Sequence, residues 1–227
     1  MKRIHLSNAV FLSLVLLLGL AARPARAEDD LAARLTRSRE VYQELINSPD
    51  REVPAELRET CKCVAILPHV VKAAIGVGGR FGRGVITCRN AGGEWSPPAF
   101  ITLTGGSWGL QLGAEATDVV LFFMSERGAQ SLLQSKFTLG AKAGLAAGPV
   151  GRSAEASTDL KLNAEIYSYA RSKGLFAGLS LEGARLAIDK NSDQQFYGAP
   201  VDPKALLFDH KAPKRPPEVD AFLQVLR

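Results

Sequence analysis

Glycine placement constrains this chain more than any other feature. Residues 76–113 hold 11 of its 21 glycines, opening as Gly76-Val77-Gly78-Gly79-Arg80-Phe81-Gly82-Arg83-Gly84 and closing on Gly105-Gly106-Ser107-Trp108-Gly109-Leu110-Gln111-Leu112-Gly113. Short apolar alternations such as Val85, Thr87 and Phe100, Thr102 run between them. That mixture reads as twisted, bulged antiparallel strands in which glycine permits close backbone approach or positive φ. A phosphate-loop reading fails on spacing. A dinucleotide fingerprint starting at Gly76-x-Gly78 needs glycine where Phe81 stands, and GxxxxGK[ST] occurs nowhere in the chain.

The first 27 residues carry Lys2 and Arg3, an apolar core over 9–22, and Ala25-Arg26-Ala27 as an A-x-A cleavage site. The core is short for a membrane span, so the segment reads as a cleaved secretory signal, with the mature chain exported and periplasmic or envelope-associated. Removing the signal takes away Lys2, Arg3, Arg23 and Arg26 and no acid, which lowers the formal net charge from +5 to +1. The high isoelectric point therefore gives no support to nucleic-acid binding. Charge distribution is more informative. Residues 60–93 hold Lys62, Lys72, Arg80, Arg83 and Arg89 without an acid, and residues 127–154 hold Arg127, Lys136, Lys142 and Arg152 without one. Folded onto one face, they would attract anionic head groups.

Leu31, Leu35, Ser38, Tyr42, Leu45 and Ile46 have the spacing of a helix with one apolar face, and Arg34, Arg37, Glu40 and Glu44 lie elsewhere on it. Its mixed-charge outer face favours packing on a sheet over lying on a bilayer. Pro54 starts a short helix over 54–60. Strands are expected at 63–68, 85–89 and 117–124. Ser125 then caps a helix over 126–133, and strand returns over 137–147, broken by Gly140 and Gly144. A hairpin of 164–171 with 175–181 follows, extended by a strand at 184–189, and a helical turn covers 191–197. Residues 209–217, with three prolines and Lys211, Lys214 and Arg215, read as a linker to a last helix that puts Val219, Phe222, Leu223 and Leu226 on one face. The fold class is thus α+β: a mostly antiparallel twisted sheet closing toward a barrel or sandwich, with a few short flanking helices. The organisation is a signal over 1–27, a domain over 28–208 and an appendage over 209–227.

Three cysteines allow one intramolecular disulfide. Cys63 with Cys88 is favoured because both lie in predicted strands, and Cys61 with Cys88 is the alternative. The Cys61-x-Cys63 spacing is tighter than usual zinc spacing, so no metal site is expected. Gly105-Gly106-Ser107-Trp108-Gly109 matches the GxSxG elbow of serine hydrolases, with His210 downstream. The elbow needs a helix directly after the serine, and Leu110-Gln111-Leu112 alternates like a strand. No catalytic residue or cofactor is assigned.

Taken together, Gly78-Gly79-Arg80-Phe81-Gly82-Arg83-Gly84-Val85, Trp95-Ser96-Pro97-Pro98-Ala99, Gly109-Leu110-Gln111-Leu112-Gly113, Ala146-Ala147-Gly148-Pro149-Val150-Gly151 and Tyr169-Ala170-Arg171-Ser172-Lys173-Gly174-Leu175-Phe176-Ala177-Gly178 resemble the SYLF domain family over about 31–198. Eukaryotic members are lipid-binding modules that prefer phosphoinositides, yeast members also bind actin, and bacterial members are mostly exported. The resemblance implies a non-catalytic, lipid-associating β-rich domain. An exported bacterial chain would not meet cytoskeletal actin in its own cell, so anionic phospholipid or an envelope protein is the expected partner. The candidate lipid-binding residues are the basic ones placed beside turns: Lys72, Arg80, Arg83, Lys142, Arg152, Arg171 and Lys173. Trp95 and Trp108 stand either in the core or at a membrane interface.

Overall fold

The computed structural model describes residues 30–47, 53–75, 77–108, 113–134, 137–140, 144–148, 164–172, 175–178 and 181–227. Its frame is a nine-stranded sheet. The strands are β1 (Cys63–Ile75), β2 (Val77–Cys88), β3 (Ala99–Trp108), β4 (Gly113–Phe123), β5 (Phe137–Thr138), β6 (Leu145–Ala147), β7 (Ile166–Ser172), β8 (Leu175–Gly178) and β9 (Arg185–Ile188). They lie in the order β5-β9-β3-β2-β1-β4-β7-β6, with β8 paired to β7. Every pairing is antiparallel except β6 with β7, so the sheet is mixed with one parallel pair.

Three details differ from the sequence expectation. Gly78, Gly79, Gly82 and Gly84, read as turns before a strand at 85, lie inside β2, which pairs with β1 and β3 along its length. The stretch 137–147, read as one broken strand, becomes β5 and β6 at opposite ends of the sheet. Strand β9 does not extend the β7–β8 meander and pairs instead with β3 and β5.

Strand β1 bulges at Pro68-His69, where its register shifts by one residue against both neighbours and His69 takes φ 59°. Gly84 is required opposite that bulge. A Cβ there would stand 2.0 Å from the Ile66 carbonyl oxygen and 2.7 Å from Leu67 Cα. The Asp118 carboxylate holds the bulge by accepting the His69 backbone N–H at 3.0 Å. Before the bulge, Val64, Ala65, Ile66 and Leu67 are fully buried, as a strand covered on both faces must be.

Helix α1 (Leu31–Ile46) packs across β1 and β2 and buries Leu31, Leu35, Ser38, Val41, Tyr42 and Leu45. Arg34, assigned by spacing to the outer face, is also buried, with its guanidinium 5.3 Å from the centroid of the Phe100 ring. The short helices are set by local chemistry. Pro54 precedes α2 (Ala55–Thr60). Ser125 caps α3 (Glu126–Gln130) through the Gly128 N–H. Asp189 caps α4 (Lys190–Tyr197), which Gly198 ends in the left-handed conformation, and Asp202 caps α5 (Pro203–Leu207). Residues 31–227 form one compact unit that includes the terminal helix α6 (Pro217–Leu223). Val219, Phe222, Leu223 and Leu226 are buried, α6 packs on α1, and the Trp95 indole donates to the Leu226 carbonyl at 2.9 Å.

Cys63 and Cys88 face each other across β1 and β2 and form the disulfide, leaving Cys61 as a buried thiol. The Trp95-Ser96-Pro97-Pro98 motif is structural. Ser96 accepts from the Cys88 N–H through Oγ and from Thr87 Oγ1 through its carbonyl, and the Pro98 carbonyl accepts from the Tyr197 hydroxyl.

Candidate functional site

Beyond the bulge, the face of β1 and β2 that carries Val71, Ala73, Phe81 and Arg83 is exposed, while Lys72 and Arg80 on the other face are partly buried. Val71 and Phe81, cross-strand partners, are 40% and 47% exposed and are the large apolar side chains left in solvent among the described residues. Alternation along β2 puts Arg83 on the same face as Phe81, and its guanidinium sits 5.4 Å from the Phe81 ring centroid. On the opposite face Lys72 pairs with Arg80. Burial holds the Arg80 guanidinium below its ordinary value. Beside Phe81 and Arg83 lies a shallow groove of about 390 Å³, whose other walls include Thr102, Ile188, Asp189 and Lys190.

The charge at this hairpin is mixed, since Glu115 of β4 stands opposite Lys72 and Asp189 lines the groove beside Arg83. The Arg34 guanidinium is held down to about 10, first by burial and then by repulsion from Arg83, with Asp189 opposing. Three of the candidate cations, Lys72, Arg80 and Arg83, are thus brought together, although on strands and not beside turns. Arg171 is elsewhere. It lies on β7, where its guanidinium bonds Asp118 through Nε and Nη2 at 3.0 and 2.9 Å and pairs with Glu44 of α1. That network ties α1 to the carboxylate that pins the bulge. Lys142, Arg152 and Lys173 lie outside the described residues.

Sequence reasoning named the cations and missed the apolar pair. Its signal was present, since Phe81 stands between Arg80 and Arg83 in a run otherwise made of glycine. Trp95 is buried under Arg89, whose guanidinium is 4.4 Å from its ring centroid. Ser107 lies in β3 opposite Gly78, and the next described element is the antiparallel strand β4.

Residues 104–227 match the family described as "Ysc84: Las17-binding protein actin regulator". The chain belongs to the Ysc84 family. This is the SYLF resemblance of the motifs, and the matched region continues through the terminal helix that the motifs leave out. "SH3 domain-containing YSC84-like protein 1" of Bos taurus is 34% identical over 181 residues, which cover 79% of this chain and 52% of that protein. "Protein YSC84" of Saccharomyces cerevisiae is 34% identical over 207 residues, 90% of this chain and 43% of that protein. "LAS seventeen-binding protein 3" of Saccharomyces cerevisiae is 33% identical over 207 residues, 90% of this chain and 44% of that protein. The chain spans about half the length of the curated relatives it matches. The Ysc84 relatives are named as SH3-containing or Las17-binding proteins and not as enzymes.

Proposed function

We propose that this Ysc84-family chain is an exported, non-catalytic module that associates with anionic lipid head groups at the cell envelope through the β1–β2 hairpin. The observation that carries the reading is the exposed Val71–Phe81 pair flanked by Arg83 on its own face and by Lys72 and Arg80 on the other. Apolar side chains that enter the head-group boundary, with cations beside them, are what surface binding to an anionic bilayer requires. Each nearby cation contributes on the order of 1 kcal/mol at low salt, and the contribution falls as the Debye length shrinks. Among the described residues no helix is long and apolar enough to cross a membrane.

The test is co-sedimentation with phosphatidylglycerol or cardiolipin vesicles across a salt series. Binding should weaken with salt, and Arg80→Glu with Arg83→Glu should lower it about tenfold or more. Absence of sedimentation at every ionic strength rejects the proposal. The family description names a protein partner, and the second reading is that this chain docks an envelope protein. Capture of one defined partner by a chain indifferent to vesicles would select it.

A further inference from the structure

A cavity of about 570 Å³ has no part in the reading above. Three stretches remote in sequence build it: the loop 92–97 between β2 and β3, the turn at 210–215, and the end of the chain from Leu223 to Arg227. Its volume is in the range of small-molecule sites. Trp95 and Leu223 supply apolar wall, and the charged lining is Arg215 and Arg227 against Glu94, with His210 held toward its neutral form by burial. We propose that this cavity binds a small organic anion, an apolar body bearing one carboxylate or phosphate.

Several features support a built site. Trp95 is fixed between the Leu226 carbonyl, which its indole N–H reaches at 2.9 Å, and the Arg89 guanidinium at 4.4 Å. Arg215 is fixed as well, since Asp220 accepts from its Nε and Nη2 at 2.8 and 2.7 Å. His210 holds a left-handed backbone, φ 56°, that side chains adopt at a cost. Its Nε2 is shielded from solvent and has no hydrogen-bond partner. An acceptor-rich ligand suits these groups, because both arginines donate only.

The probes are benzoate and phenyl phosphate, with benzyl alcohol as the neutral control, titrated into ¹⁵N-labelled protein carrying Trp108→Phe so that one indole signal remains. Saturable shifts of the Trp95 indole and the His210 amide are expected with at least one anion, and the tighter of the two assigns the anionic group. Benzyl alcohol should bind about tenfold more weakly, Arg215→Gln should weaken the anion about fivefold, and Glu94→Gln should tighten it about threefold by removing a like charge. The proposal is overturned if neither anion shifts Trp95, if benzyl alcohol matches the anions, or if neither charge substitution changes the affinity. None of these residues belongs to the hairpin, so vesicle binding and this titration fail independently.

Discussion

Asp193 offers the sharpest physical test of the fold. It lies on α4, fully buried, with Oδ1 accepting the Phe100 N–H at 2.7 Å and Oδ2 without a partner. Burial raises its carboxyl from 3.8 to about 7, opposed by the Phe100 hydrogen bond and reinforced by Asp189. The folded state therefore binds this proton more tightly than the unfolded state. The stability associated with it is fully present below about pH 4 and is lost as pH rises toward about 7. One pKa unit corresponds to about 1.4 kcal/mol, so a displacement of about three units gives roughly 4 kcal/mol across the window. Asp193→Asn keeps the shape and the acceptor for Phe100 and removes the titration. Urea unfolding of both proteins, followed by circular dichroism between pH 4 and 8 with the disulfide intact, isolates Asp193 and the groups coupled to it, because titrations independent of it cancel in the difference. The Asn variant should gain on the parent by up to about 4 kcal/mol between pH 4 and 8. Any constant offset reflects the amide in place of Oδ2 and does not bear on the argument. A difference that stays flat with pH, or that turns against the variant as pH rises, refutes the reasoning.

Two further predictions concern the sheet. Gly84→Ala places a Cβ against the backbone of the β1 bulge and should destabilise the protein by about 3 kcal/mol, read as a drop in urea midpoint; an unchanged midpoint would mean that β1 gives way easily there. Replacing Cys63 and Cys88 by alanine opens a loop with a sequence separation of 25 and should cost about 3.5 kcal/mol. In the parent, one thiol should react with Ellman's reagent only after unfolding, since burial shields Cys61 and pushes its thiol up to about 11.

What the sequence disclosed was local. The apolar face of α6, the Ser125 cap and the β7–β8 hairpin each follow from residues within about a dozen positions, and each is where its spacing put it. Sheet order was not legible. Phe137 and Leu145 stand eight residues apart yet pair with Leu186 and Ile166 at opposite ends of the sheet, a choice made by long-range burial that strand propensity does not encode. Arg34 shows the same limit. Its charge argues for solvent, while the stacking surface of Phe100 that makes burial tolerable comes from β3, far along the chain. At the candidate site, composition revealed the cations. The exposure of Phe81 depended on where α1 stops covering the sheet, which no local pattern specifies.

That exposure has a structural explanation that competes with a functional one, and the two can be separated. Val71 and Phe81 oppose each other across β1 and β2, and such a pair contributes roughly 0.2–1 kcal/mol to a sheet whether or not anything binds it. If stability alone explains the pair, a strand-compatible polar pair in its place should change only the folding free energy. If the hairpin enters a head-group layer, the same change removes apolar area from the bound state, at about 25 cal/mol per Å². Val71→Thr with Phe81→Thr puts a β-branched, strand-favouring residue at both positions, so the urea midpoint should move by no more than about 1 kcal/mol equivalent. Vesicle partitioning should fall about tenfold at high salt, where the contribution of Lys72, Arg80 and Arg83 is already screened and the apolar term stands alone. Partitioning that survives the double substitution at high salt would remove the apolar pair from the binding surface. A loss that tracks the urea midpoint would return Val71 and Phe81 to the role of an ordinary cross-strand pair.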